Sequence, residues 1–137
     1  MKRILFTLCL TLIMSSLQAQ NTNDISFEGP DGKEMKLHKY FIVFLLSGDR
    51  RDQAADEVEK IQNAHILYLT SLWEQGIILL NGPFDDDGAM RGMSVYKVKS
   101  AEQAREYAEN DPSVKAGRLK IEVHPWWSAP FTPQFEK

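Results

Sequence analysis

The stretch KYFIVFLLS, residues 39–47, decides the fold of this chain. It is a continuous apolar run of strand length, rich in the aromatic and β-branched residues that favour strands. A run that is apolar on both faces is typical of a strand covered by other elements. We therefore predict that residues 39–47 form the first and central strand, and that residues 48–51 turn the chain.

The pattern changes to helical spacing after this turn. Between residues 53 and 75, a set of mostly apolar side chains recurs at three- and four-residue steps, which predicts an amphipathic helix. The set consists of Ala54, Ala55, Val58, Ile61, His65, Leu69, Leu72 and Trp73. Gly76 follows, and we expect it to end the helix in the left-handed conformation that glycine adopts at little steric cost.

Three further strands are predicted along the rest of the chain. Residues 77–84 and 93–99 are rich in strand-forming residues and flank an Asp- and Gly-rich turn, so they should pair as a hairpin. Residues 118–124 alternate apolar and polar side chains, which is the pattern of a strand with one covered face.

A second helix is predicted between the last two strands. Ser100 stands three residues before Gln103, which is the spacing of a capping box and marks the start of a helix. Pro112 should end this helix near Asp111, because the residue before a proline disfavours the helical conformation. The predicted order of elements is therefore βαββαβ.

This order predicts an α+β fold, the ferredoxin-like plait, in which one four-stranded antiparallel sheet carries both helices on one face. The opposite face of the sheet is then uncovered. A small domain rarely leaves a sheet face bare in water, so we expect a second copy to cover it. The result would be a homodimer that forms an α+β barrel.

Length and composition limit the classes of function. The 137 residues suffice for one domain, and a hydrophobic content of 43% is enough to bury a core. The formal net charge of −3 argues against a nucleic-acid partner, because phosphate neutralisation needs clustered lysine and arginine. An acidic chain also binds anionic membrane surfaces poorly, so we expect no membrane partner.

The first twenty residues have the order of a secretory signal peptide. Lys2 and Arg3 precede an apolar run at residues 4–14, and small and polar residues lead to Ala19, a suitable end for cleavage. We therefore expect an exported protein, periplasmic or secreted. Its parts would be a signal peptide (1–19), a polar and irregular amino-terminal arm (20–38), the folded domain (39–127) and a carboxyl-terminal tail (128–137).

The residue types that bind cofactors are sparse. Cys9 is the only cysteine and lies in the predicted signal peptide, so the mature chain would form neither a disulfide nor a thiolate metal site. The sequence has no histidine or carboxylate cluster at metal spacing, no Gly-rich phosphate loop and no dinucleotide fingerprint. Residues 85–88 (DDDG) lack the spacing of a calcium loop and are interpreted as a solvated hairpin tip. We expect no metal and no cofactor.

His65 is the first candidate site residue. At about 100° per residue it lies within the apolar stripe of its helix, between Ile61 and Leu69 in projection. An imidazole on this face is costly unless a partner or a pocket receives it. Two interpretations are open: a neutral core histidine bonded to a backbone carbonyl, or a functional residue that faces a pocket.

Asp111 is the second candidate. At the predicted carboxyl end of a helix it would face the unfavourable pole of the helix dipole, and it would need a compensating donor. Its projected direction is toward the sheet or the first helix. The alternative interpretation is a turn-forming aspartate before Pro112.

Asn81, Gly82 and Pro83 end the second predicted strand. Glycine permits close approach of another backbone, and proline prevents further pairing, which suits the wall of a pocket. A plain strand terminator would have the same sequence.

Four elements occur in a fixed order along the chain: HILYL at residues 65–69, GIILLNGPF at 76–84, DPSVKAG at 111–117 and VHPW at 123–126. Together they resemble the YciI-like (YCII-related) family over residues 39–127. The resemblance implies a dimeric ferredoxin-like α+β barrel with His65 and Asp111 as active-site residues. The family histidine has been proposed as a phosphohistidine, and members include enzymes of chloroaromatic breakdown.

Two functions compete on this basis. A histidine base oriented by a carboxylate suits proton abstraction or elimination on a small carbonyl or phenolic substrate, as in a lyase or isomerase. The alternative is a non-catalytic dimeric module whose pocket holds a small ligand. A purely structural domain is a third interpretation.

Export generates the first testable prediction. Cleavage after Ala19 should leave a mature chain that begins at Gln20 or Asn21, which mass spectrometry of natively expressed protein would measure. An intact Met1 on soluble protein would contradict cleavage, and an intact Met1 on membrane-bound protein would indicate an uncleaved anchor.

Overall fold

The computed structural model describes residues 23–131. In chain order the elements are β1 (Asp24–Glu28), β2 (Glu34–Ser47), α1 (Ala55–Glu74), β3 (Ile78–Pro83), β4 (Met90–Tyr96), α2 (Ala101–Glu109), α3 (Pro112–Lys115) and β5 (Leu119–Ser128). No helix within this range has both the length and the apolar composition needed to cross a membrane. The predicted signal peptide, with Cys9, and the last six residues of the predicted tail lie outside the described residues.

Strand β2 lies at the centre of one antiparallel sheet. One of its edges pairs with β5, and the other pairs first with β1 and then with β4, which in turn pairs with β3. The four strands predicted from the sequence thus stand in the order β5, β2, β4, β3, and α1 and α2 connect strands that are not neighbours. This arrangement is the βαββαβ plait, so the predicted α+β fold class is confirmed.

The hydrophobic core lies between the sheet and the helices. Alternate residues of β2, namely Phe41, Val43 and Leu45, are buried and belong to one cluster, because successive side chains of a strand point to opposite faces. The helices contribute Leu69, Leu72, Ala104 and Ala108 to the same cluster. The two alanines of α2 are small, and this lets the helix lie close to the sheet.

The caps of the two longer helices follow the sequence prediction. Gly76 follows α1 with a φ of 70°, in the left-handed region. Ser100 Oγ accepts a hydrogen bond from the backbone N–H of Gln103 at 3.2 Å. The Gln103 side chain accepts from the backbone N–H of Lys99 at 2.9 Å, so the reciprocal bond of the capping box is made one residue earlier than usual.

The interpretation of residues 20–38 as an irregular arm is wrong from residue 24 onward. β1 and the first residues of β2 form an antiparallel hairpin, whose connecting turn includes Gly32 at a φ of 74°. Apolar and polar side chains alternate in both strands, and this alternation explains the pairing. The Gly- and Pro-rich turn between the strands made the pattern less visible in the sequence. The apolar residues that share one face of the hairpin are Ile25, Phe27, Met35 and Leu37.

Other strand boundaries also differ from the predictions. β4 begins at Met90, three residues before the predicted start of that strand, because Met90 pairs with Leu46 near the end of β2. β5 continues through Ser128, which pairs with His38, so Trp126 and Trp127 belong to the strand. The pairing of β2 with β4 and with β5 is therefore longer than the sequence pattern indicated.

Gly48 generates a prediction about stability. Its backbone N–H donates to the carbonyl of Arg118 at 2.8 Å, and a Cβ atom added there would lie 2.6 Å from the Arg118 carbonyl carbon. Gly48→Ala should therefore lower the free energy of unfolding by about 1–3 kcal/mol through overpacking, measured by denaturant titration. Gly82→Ala is the control, because no atom lies within 4 Å of an added Cβ there. Equal stability of the two variants would contradict the prediction.

Candidate active site

The structure brings the two candidate residues into direct contact. His65 lies in the middle of α1, Asp111 directly precedes α3, and His65 Nδ1 is 2.6 Å from Asp111 Oδ2. The side chains are 12% and 2% exposed, respectively. The partner of His65 is thus a carboxylate, which excludes the interpretation of a core histidine bonded to a backbone carbonyl.

Asp111 is held by the start of a helix that the sequence did not predict. It is the N-cap of α3, and its Oδ1 accepts a hydrogen bond from the backbone N–H of Ser113 at 2.8 Å. Pro112 occupies the first turn of α3, where its missing N–H is no loss. As predicted, Asp111 follows the carboxyl end of α2, which ends at Glu109 with Asn110 as its C-cap, and it has the compensating donor that this position needs. Its place as the N-cap of α3 was not predicted, and this place is a favourable one for an acidic side chain.

The hydrogen bonds define the orientation of the imidazole. An ionised carboxylate only accepts hydrogen bonds, so His65 Nδ1 carries the hydrogen of this bond. Nε2 then presents a lone pair, and it has no hydrogen-bond partner among residues 23–131. Because both oxygens of Asp111 have a donor, the carboxylate cannot rotate without breaking a buried hydrogen bond.

Two tyrosines lie close to Asp111. Burial raises the pKa of Tyr68, and the negative charge of Asp111 raises it further. Burial also raises the pKa of Tyr96, with smaller contributions from Tyr68 and Asp111. Both phenols are therefore protonated at neutral pH, and the Tyr68 hydroxyl donates to the carbonyl of Tyr107 at 2.8 Å.

A cavity of about 430 Å³ lies next to His65. It is at the end of the sheet where β2 and β3 end and β4 and β5 begin. Asn81, Gly82 and Pro83, the predicted pocket segment, all line it. The close backbone approach expected at Gly82 occurs instead at Gly92, where an added Cβ would lie 2.7 Å from the Gly82 carbonyl oxygen.

Three arginines that line the cavity were not among the sequence candidates. Arg51 follows β2, Arg91 is the second residue of β4, and Arg118 directly precedes β5. The antiparallel order of the strands places these three positions at the same end of the sheet. The predicted strand order could therefore have identified these arginines, since each one lies at a strand end that borders the cavity.

The hairpin tip and the other polar clusters show no metal site. Residues 85–88 are exposed, as predicted, and Asp86 accepts a hydrogen bond from the backbone N–H of Gly88 at 2.7 Å. In the part of the chain that the structure describes, no group of three or more His, Cys, Asp or Glu residues could hold an ion.

Comparison with known proteins adds the family. A solved structure of 5-chloro-2-hydroxyhydroquinone dehydrochlorinase (TftG) from Burkholderia phenoliruptrix AC1100, in complex with 2,5-dihydroxybenzoquinone, is 23% identical, with a TM-score of 0.48. The match covers 64% of this chain and 92% of that one. A hypothetical Arabidopsis thaliana protein solved in solution is 13% identical, with a TM-score of 0.38, and the match covers 69% and 91% of the two chains.

No curated protein matches the chain. The family model of the YCII-related domain matches residues 42–127, which are more than half of the sequence. The chain therefore belongs to the YCII-related domain family.

Proposed function

We propose that this protein is a small-molecule enzyme of the lyase or isomerase type, in which His65 acts as a general base and Asp111 positions it. The observation that carries the proposal is the 2.6 Å hydrogen bond between His65 Nδ1 and Asp111 Oδ2, next to a cavity of about 430 Å³. This bond leaves Nε2 as the ring nitrogen available to a molecule in the cavity.

The proposed step is a proton transfer from the substrate to His65. A C–H or O–H bond of the substrate breaks, the proton moves to Nε2, and the electron pair remains on the substrate. The electron pair then forms an enolate or phenolate, or it expels a leaving group. Return of the proton to a different atom completes an isomerisation, and loss of the leaving group completes an elimination.

Asp111 contributes by balancing the charge that this step creates. The imidazole becomes an imidazolium, and the carboxylate already lies 2.6 Å away. Because Asp111 is 2% exposed, water screens this interaction less than it would at the surface. The neighbouring phenols of Tyr68 and Tyr96 are neutral, so they do not compete with His65 as bases.

His65→Asn tests the base separately from the structural role of the side chain. The Asn amide nitrogen takes about the place of Nδ1 and can still donate to Asp111, but no basic atom replaces Nε2. Proton transfer should fall at least about 100-fold, measured by proton NMR as deuterium exchange into a panel of small carbonyl compounds. His65→Ala should in addition lose about 1–3 kcal/mol of unfolding free energy, because it leaves Asp111 Oδ2 without a donor.

Lys60→Gln is the control. The Lys60 side chain is 78% exposed on the same helix as His65, and it does not line the cavity. Its exchange rate should equal that of the wild type. Equal exchange by His65→Asn and wild type would contradict the role of His65 as base. Binding of the carbonyl compounds by wild type without any exchange would favour the binding module instead.

The second proposal concerns assembly: two copies associate through the sheet face opposite the helices. Ile42, Phe44 and Leu46 of β2 point to this face and remain partly exposed in the single chain. Leu80 and Trp126, on the flanking strands, are 55% and 44% exposed. The paired residues of β5 on this face, Glu122 and His124, are polar. Exposed apolar side chains bordered by polar ones on a small domain are typical of a protein interface.

Sedimentation at micromolar concentration tests the homodimer. The wild type should sediment at about twice the mass of one chain, and Phe44→Glu should give a folded monomer, because the added charge would be buried in the interface. Leu67→Glu is the control, since Leu67 is 70% exposed on α1, in the helix layer. A monomeric wild type would contradict the proposal.

A further inference from the structure

The cavity beside His65 has a strongly positive wall. Arg51, Arg91 and Arg118 all line it, and a guanidinium keeps its charge throughout the physiological pH range. No aspartate or glutamate of residues 23–131 is among the lining side chains, because Asp111 lies behind His65. This excess of positive charge occurs in a chain that has 19 acidic and 16 basic residues.

The three guanidinium groups bind only neutral groups of the protein. Arg51 donates to the carbonyl of Arg118 at 3.1 Å, and Arg91 donates to the carbonyl of Gly88 at 3.1 Å. Arg118 donates to the side-chain oxygen of Gln53 at 2.8 Å. Over residues 23–131, every ion pair involves a lysine or a histidine, so the three arginines carry no carboxylate partner.

Two of these arginines are held in place by the backbone around them. The loop after β2 is bonded to the turn before β5, through Gly48 N–H to the Arg118 carbonyl at 2.8 Å and Arg50 N–H to the Gly117 carbonyl at 3.0 Å. Gln53 accepts from Arg118 and donates to the Ala116 carbonyl at 3.2 Å. A guanidinium fixed in this way loses little further entropy when it binds an anion.

We propose that the substrate of this cavity is a small organic acid, whose carboxylate is bound by Arg51 and Arg118. The proposal rests on the proposed function, because the same molecule would present its acidic C–H to His65 Nε2. A guanidinium fork matches a carboxylate with two parallel hydrogen bonds. A phosphate group is less well suited, since the chain has no Gly-rich loop to surround it with backbone N–H groups.

The positive wall also suits the reaction itself. When His65 removes a proton from a carbon next to a carbonyl, the C–H bond breaks and its electron pair moves to the carbonyl oxygen. The negative charge that develops there is stabilised by fixed positive groups in the cavity. Arg91, on the β4 wall, is the candidate for this oxyanion, while Arg51 and Arg118 bind the carboxylate.

Ligand-observed NMR on the purified protein tests the substrate class with matched pairs. The probes are pyruvate and pyruvamide, benzoate and benzamide, and inorganic phosphate. The carboxylates should bind, and each neutral amide should bind about tenfold more weakly or not at all. Arg118→Gln and Arg51→Gln should each weaken carboxylate binding by about tenfold, whereas Arg105→Gln, an exposed position on α2 outside the cavity, should not.

The outcomes separate this inference from the proposed base. His65→Asn should bind the carboxylates without catalysing exchange into pyruvate. Carboxylate binding that depends on Arg118, without exchange in the wild type, supports the anion site and contradicts the enzyme. Equal binding of acids and amides, no binding of any acid, or unchanged binding by Arg118→Gln at an unchanged melting temperature overturns the anion site. Preference for inorganic phosphate over both carboxylates also overturns it.

Discussion

The hydrogen bonding of β2 on both of its edges is the constraint on which the rest of the molecule depends. This strand pairs with β5 along one edge and with β1 and β4 along the other. Its side chains alternate between the two faces of the sheet. Phe41, Val43 and Leu45 pack on the helices, while Ile42 and Phe44 point to the sheet face opposite the helices. A shift of one residue in this register would exchange the side chains of these two faces, and it would also move the cavity.

The position of the site follows from where β2 ends. At Ser47 the strand gives way to a loop that packs on the turn before β5, and Gly48 permits this because a side chain there would overlap the backbone. The same junction sets Arg118 beside the loop that carries Arg51. His65, by contrast, comes from α1, and its partner comes from the start of α3. The site therefore combines side chains from the loop after β2 and the turn before β5 with side chains from α1 and from the start of α3.

The sequence predicted what depends on local pattern and did not predict what depends on pairing at a distance. The apolar run at residues 39–47 and the helical spacing around His65 are local, and both were predicted. The strand β1 was not predicted, because its alternation of apolar and polar side chains is short. Only its pairing with the start of β2 shows that these residues form a strand. Asp111 stands out in the sequence because a carboxylate before a proline at a helix end needs a donor. The donor to its Oδ1 belongs to a helix of four residues, which is too short to show periodicity.

The arginines and Asp111 lie on opposite sides of His65, and the proposed reaction needs both charges in these places. Arg51, Arg91 and Arg118 line the cavity, where positive charge would attract an anionic substrate. The Asp111 carboxylate lies 2.6 Å from Nδ1 and does not line the cavity. If Asp111 lined the cavity, it would repel the anion that the arginines would attract. In the proposed reaction, its place behind His65 would keep the carboxylate beside the imidazolium and away from the substrate.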